Sequence, residues 1–236
     1  MENQKLKLPL DENIRFGLSD LDDLLGILLG EGGCPWDKEQ TLESLKKYLL
    51  EECYEAAEAI ENNDMGNLCE ELGDVLFQLV FISRLAENNS FSMGDVIDRV
   101  CRKMVSRHTH IFGDETITDS KAVEAVWEKN KKKEKEYKSL YDKLNSIPVG
   151  MPALMRAEKV LGKAQEKNAD RDECINQAIN YLESIRNGNN ETNMEDIGNL
   201  LLSVTNISLQ MQINAEFALT NALKTYINKF ENIEDY

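Results

Sequence analysis

Two short acidic patterns carry the chemistry that this chain could perform. Glu51-Glu52-x-x-Glu55 is followed, after the turn-forming run Asn62-Asn63-Asp64-Met65-Gly66, by Glu71-x-x-Asp74. Residues three or four apart lie on one helix face, so Glu52 points with Glu55 and Glu71 with Asp74. A short turn makes the two helices antiparallel neighbours, which sets Glu55 level with Glu71 and Glu52 opposite Asp74. Gathering four acids in a partly dry site costs several kcal/mol per ion unless something neutralises them. Hard oxygen donors in this number suit Mg²⁺, or Mn²⁺ in its place, with positions left for water and phosphate. The bland alternative is a solvated acidic face, common in a chain with 43 acidic residues. Both patterns at hairpin spacing, just ahead of the uncharged run Val75–Ser83, favour the site.

The elements that must position these acids read as helices nearly throughout. Leu21, Leu24, Leu25, Leu28 and Leu29 repeat at helical spacing, and Gly30–Asp37 (GEGGCPWD) interrupts them. A second helix is expected from Thr41, an N-cap residue, to about Ile60, and a third from about Leu68 to Ala86. The third carries Val75–Ser83, so it should be central to a bundle. Further helices are expected over about Met93–Arg107 and Ser120–Tyr137, and no stretch alternates as a strand does. The fold class is all-α. The lysine-rich run 129–138 reads as a solvated helix end. Pro148 and Pro152 mark a connector at 146–152, dividing a domain at 1–145 from one at 153–236.

Composition excludes several classes. A net charge of −16 argues against a binder of nucleic acid polymers, which needs surplus Lys and Arg. No apolar run approaches the roughly 18–20 residues needed to span a bilayer, and Met1–Leu10 lacks a signal peptide's apolar core. Cys34, Cys53, Cys69, Cys101 and Cys174 are odd in number, scattered and without a CxxC, as reduced thiols of a cytoplasmic protein are. They are expected to be buried small apolar residues.

An internal repeat sharpens the reading. Shifted by 125 positions, Leu50–Ser83 lies over Ile175–Ser208 without a gap. Glu58 falls on Glu183, Gly73 on Gly198, Leu76 on Leu201 and Ser83 on Ser208, while Leu72, Val75, Phe77 and Leu79 fall on Ile197, Leu200, Leu202 and Val204. The five acids instead become Asn176, Gln177, Asn180, Asp196 and Asn199, leaving one carboxylate. The second half reads as a copy of the hairpin that has lost its charge.

Cys34-Pro35-Trp36-Asp37-Lys38-Glu39-Gln40-Thr41, the two acid patterns and Arg107-His108-x-His110-x-Phe112 together resemble the MazG family. The likeness continues through Trp127 and through Ile147-Pro148 to Ala157, and weakens beyond about residue 160. The family comprises all-α nucleoside triphosphate pyrophosphohydrolases, so the resemblance implies tandem helical bundles and hydrolysis of a nucleoside triphosphate to monophosphate and pyrophosphate. By position it implies that Glu52, Glu55, Glu71 and Asp74 hold Mg²⁺. It further implies that Lys103 and Arg107 contact the triphosphate and that Trp127 lies near the nucleotide. Glu51 could accept a proton from the attacking water or support the ligand pair. Trp36 is open to two readings, stacking on a base or anchoring its loop.

The chain also departs from the family's pattern. Thr109 stands where proline is usual, and Asn168-Ala169-Asp170-Arg171 replaces a Gly-Phe-Asp-Trp segment. In known two-domain members the C-terminal copy can be the active one. The residues here put the site in the first copy and leave 153–236 non-catalytic, for stability, dimerisation or regulation. A hairpin this apolar calls for a partner, so a homodimer is expected. A di-iron carboxylate bundle would need Glu-x-x-His, which neither His108 nor His110 supplies. The functional alternative is a helical protein that senses nucleotides without turning them over.

Overall fold

The computed structural model describes residues 13–87, 90–113, 117, 119–134, 137–164, 170–187 and 193–231. Met1–Leu10, Asn168 and Ala169, weighed above, lie outside them. Every regular element among the described residues is a helix, so the chain is all-α. It divides into two compact units between Lys131 and Lys132.

The first unit is built on α1 (Leu18–Leu29), α3 (Leu42–Glu61) and α4 (Met65–Glu87). Leu25, Leu45, Val80 and Phe81, one or two from each helix, are at most 1% exposed and form its core. Phe77 meets the Phe81 ring edge-on at 5.8 Å. Arg84 of α4 reaches α1 and donates to Asp22 Oδ2 at 2.6 Å and to the Asp22 carbonyl at 3.1 Å. This half-buried pair fixes the two helices lengthwise.

Local signals set the ends of the hairpin. Thr41 caps α3: its Oγ1 accepts from Ser44 N at 3.2 Å, and Ser44 Oγ accepts from Thr41 N at 3.0 Å. Asn63 turns the chain in the left-handed region at φ 54°, where asparagine is tolerated. Asp64 Oδ1 then accepts from Gly66 N and Asn67 N, starting α4. Three residues therefore separate the helices, and α3 and α4 pack against each other along their length.

The break after α1 is tighter than a loop. A Cβ on Gly33 would lie 2.2 Å from the Leu28 carbonyl oxygen, which accepts from Cys34 N at 2.8 Å. Pro35 then opens a single helical turn, α2 (Pro35–Lys38), inside the stretch expected to be irregular. Proline's fixed φ suits the first helical position, so one turn forms where glycine prevents more. Beyond α4 come α5 (Met93–Arg107), α6 (Thr109–Phe112) and α7 (Ser120–Lys133). The Ser92 hydroxyl and amide both meet the Asp95 carboxylate at the start of α5.

The second unit holds α8 (Leu140–Asn145), α9 (Ala153–Lys163), α10 (Arg171–Asn187), α11 (Asn193–Gln210) and α12 (Ala215–Asn228). The two prolines fall inside it, between α8 and α9, and Lys143 Nζ donates to the Lys163 carbonyl at 2.7 Å across them. α10 and α11 form a helical pair, as α3 and α4 do. Their interior differs. Thr205 and Asn206, at 0% and 5% exposure, stand 125 positions beyond Val80 and Phe81. Thr205 Oγ1 donates to the Leu201 carbonyl at 2.8 Å, and Asn206 Oδ1 accepts from Gln210 Nε2 at 3.3 Å.

The cysteines correct their sequence-based expectation. Cys174 alone is buried; Cys34 is half-buried and Cys53, Cys69 and Cys101 are exposed. The core of each unit is small, and the faces of α3, α4 and α5 carrying these thiols are left uncovered by their own unit. For the same reason α4, though central, exposes Leu72, Leu76 and Leu79.

Candidate active site

α3 and α4 bring the acids together. One carboxylate oxygen from each of Glu52, Glu55 and Glu71 lies within 4.8 Å of the others, the single group of three metal-capable side chains among the described residues. Asp74 completes the set through its field: it stands among the like charges acting on both Glu52 and Glu71. The Glu52 carboxyl is pushed above the ordinary glutamate range, first by loss of surrounding water and then by the charges of Asp74, Glu55, Glu71 and Glu51. The Glu71 carboxyl is pushed the same way by loss of water, by the charges of Glu55 and Asp74, and by a hydrogen bond with Glu55. Crowding of this kind disfavours ionisation of Glu52 and Glu71, and a cation between them would relieve it.

Glu51 turns to the flank of the cluster, where Lys47 Nζ pairs with it at 3.1 Å. Trp36 projects from α2 and is 54% exposed, which separates it from a buried anchor. Its ring meets that of Tyr48 edge-on, centroids 6.1 Å apart. The turn under it is braced by Gln40 Nε2 donating to the Trp36 carbonyl at 3.1 Å.

The basic residues form a second grouping. Lys103 and Arg107 sit four apart on α5, and no ion pair engages Lys103 among the described residues. The Arg107 guanidinium stacks on Trp127, its carbon 5.1 Å from the ring centroid. Lys131 lies over the same ring at 4.5 Å. Asn130 Nδ2 reaches the Arg107 carbonyl and Thr109 Oγ1 at 3.5 and 3.3 Å, tying α7 to the end of α5. The structure thus joins Arg107 with Trp127, Trp36 with Tyr48, and Glu52, Glu55 and Glu71 with one another, while Asp74 lies outside that group of three and acts on Glu52 and Glu71 by its charge.

Three further residues escaped the sequence reading. Arg99 precedes Lys103 by four positions and lines an open groove with it, beside Asp95 and Phe91. Lys131 follows Trp127 by four. Both could have been found from helical spacing, Lys131 only had the lysine-rich run not read as solvated. Tyr48 precedes Glu52 by four and shares its face, but an isolated tyrosine gives no chemical signal in sequence.

His108 and His110 join no metal-capable group among the described residues. His108 Nδ1 donates to the Met104 carbonyl at 2.6 Å, closing α5, and the two imidazoles lie 5.7 Å apart. In the second unit, Asp196 accepts from Ser184 Oγ at 2.8 Å. Gln177 and Asn180 point to solvent.

Comparison with known proteins shows the family. A family model described as the MazG nucleotide pyrophosphohydrolase domain matches residues 40–112. The chain is 32% identical to the nucleoside triphosphate pyrophosphohydrolase of Escherichia coli (strain K12), over 92% of this chain and 88% of that protein. It is 34% identical to the nucleoside triphosphate pyrophosphohydrolase/pyrophosphatase MazG of Thermotoga maritima, over 92% of this chain and 85% of the relative. A crystal structure of a mazG-related protein from Thermotoga maritima matches 48% of this chain and 98% of its own, at 30% identity and a TM-score of 0.43. Among the described residues no helix is long and apolar enough to cross a membrane.

Proposed function

This chain belongs to the MazG family of nucleotide pyrophosphohydrolases, and from that membership we propose that its first unit hydrolyses nucleoside triphosphates to monophosphate and pyrophosphate. The observation that carries the reading is the convergence of Glu52, Glu55 and Glu71 within 4.8 Å, under the field of Asp74. This donor set fits Mg²⁺, with Mn²⁺ as a substitute: all four groups are hard carboxylates, and their crowding disfavours their own ionisation until a cation arrives. When bound, Mg²⁺ supplies neutralisation of phosphate oxygens and a lowered pKa for water.

The chain's own groups do the rest. Lys103 and Arg107 hold the departing pyrophosphate, whose negative charge grows in the transition state. Trp127 holds the Arg107 guanidinium over its ring, which limits the rotamers that must be frozen when phosphate binds. Glu51, beside Glu52 and held by Lys47, accepts the proton of the attacking water. Trp36 offers an exposed ring for stacking on the base.

The second unit is proposed to be a degenerate, non-catalytic copy, since Gln177, Asn180 and Asn199 replace acids there. A homodimer is supported by the open stripe Leu72, Leu76 and Leu79, between 37% and 54% exposed, and by its counterpart Ile197, Leu201 and Val204. Cysteines that form no disulfide among the described residues support a cytoplasmic setting.

The test is pyrophosphate release from each nucleoside triphosphate in Mg²⁺ and in Mn²⁺. Release that disappears in Glu52→Ala and Asp74→Ala, with helical content kept, supports the reading. Nucleotide binding with no release in either metal would leave a sensor in place of an enzyme.

A further inference from the structure

The face that carries the acids does not end with them. On α3, Tyr48, Glu52 and Glu55 stand at steps of four and three; on α4, Glu71, Asp74 and Gln78 stand at steps of three and four. Each set shares one helix face. The acids fix the register of the antiparallel pair, with Glu55 beside Glu71 and Glu52 beside Asp74. One further turn on each helix, about 5.4 Å, sets Tyr48 level with Gln78, on the side of the hairpin where Trp36 meets Tyr48.

Gln78 is 8% exposed, and its Oε1 is buried without a hydrogen-bond partner. A buried amide oxygen left unsatisfied is destabilising, so natural cores seldom keep one. The second unit shows the alternative. Ser203 stands at the matching position, is 7% exposed, and donates its hydroxyl to the Asn199 carbonyl at 2.9 Å. The unpartnered amide therefore occurs in the unit that has the acids, and the satisfied hydroxyl in the unit that has lost them. Level with the amide by register, Tyr48 packs against the core and turns its ring to Trp36.

We propose that Gln78 reads the hydrogen-bonding edge of the nucleobase, with Tyr48 and Trp36 as the aromatic wall beside it. The proposal rests on the pyrophosphohydrolase reading of the acid cluster. A triphosphate held at the acids extends its sugar along the hairpin, and the base arrives about one turn further on. A primary amide offers one acceptor and one donor side by side. The acceptor takes a ring or exocyclic N–H, and the donor meets the adjacent ring nitrogen or carbonyl. Each nucleobase has such a pair, so the placement of the pair relative to the amide decides which one fits. A site that hydrogen-bonds its substrate discriminates far more sharply than an apolar slot, because the wrong partner leaves a buried group unpaired.

The experiment measures kcat/KM of the full chain for the common nucleoside triphosphates and for base-free ribose 5-triphosphate. Gln78→Leu should lower kcat/KM for the preferred base about 10–100-fold and compress the spread between bases. On ribose 5-triphosphate it should change kcat/KM less than about twofold, since the phosphates and metal site are untouched. Gln78→Asn, which keeps the amide but draws it back by one methylene, should reorder the bases even if Gln78→Leu fails to fold. An equal loss on the base-free substrate, or an unchanged ranking in Gln78→Asn, overturns the base-reading role while leaving the pyrophosphohydrolase reading intact. A wild-type chain that hydrolyses none of these substrates overturns both.

Discussion

The Arg107 guanidinium lies over the Trp127 indole, 5.1 Å from guanidinium carbon to ring centroid, and Lys131 lies over the same ring at 4.5 Å. Two cations on one indole repel each other, and the arrangement persists because the ring's negative face attracts both. An anion approaching this end of α5 meets a guanidinium already oriented. Trp127→Ala should therefore lower kcat/KM about 10-fold through misplacement of Arg107, while changing stability by about 1 kcal/mol or less. Trp127→Phe should recover most of the loss. Steady-state kinetics beside thermal melts check this, and a stability loss that tracks the activity loss would argue for a structural ring.

Glu52 and Glu71 give a pH dependence of known sign. Their carboxyls titrate above the ordinary glutamate value when folded. The folded, metal-free chain therefore binds protons more tightly than the unfolded one. This contribution to stability is present below the unfolded pKa and is lost as pH rises through the raised folded values. Melting in chelator should rise as pH falls from about 7 towards about 5. Added Mg²⁺ should raise the melting temperature at neutral pH instead, and Glu52→Gln with Glu71→Gln should flatten both responses. Asp95 acts with the opposite sign: bonds from the Ser92 hydroxyl and amide hold its carboxyl below the usual range, so its contribution is lost only in stronger acid.

The contrast between the units predicts asymmetric mutants. Asp74→Ala should abolish metal-dependent turnover by about 100-fold or more, as loss of a charged group at a reacting phosphate does. Asp196→Ala removes only a bond from Ser184 and should leave turnover unchanged. The reverse outcome in matched kinetics would move the active site to the second unit.

The helix boundaries around the acids were legible because short-range chemistry sets them. Thr41 caps α3 and α5 spans Met93–Arg107 as its periodicity requires, whereas α4 opens at Met65, inside the expected turn and ahead of the expected start near Leu68, because Asp64 caps it. The convergence of the acids was legible for the same reason, since spacing and one turn fix both height and facing. What was hidden depends on neighbours that periodicity cannot report. Cys53 and Cys69 occupy positions whose covering surface is missing from their own unit, so apolar character did not translate into burial. Gln78 looked like an ordinary polar residue until its burial and empty acceptor were visible. The single turn at Pro35–Lys38 was obscured by the glycines before it.

The exposed leucines of α4 make a further expectation concrete. Leu76→Glu should shift the chain to a smaller species in sedimentation, since a carboxylate in a buried contact is strongly unfavourable. Unchanged sedimentation over the working concentration range would free this stripe from any role in self-association.

Val80 and Phe81 seal the leading hairpin with hydrocarbon, whereas Thr205 and Asn206 fill the corresponding space with groups whose bonding needs are met along their own helix. Exposure of hydrocarbon raises heat capacity on unfolding and exposure of polar surface lowers it. The trailing hairpin should thus follow a flatter stability curve than the leading one. A calorimetric scan of the intact chain would then trace two overlapping endotherms, with distinct curvature for the first unit and the second.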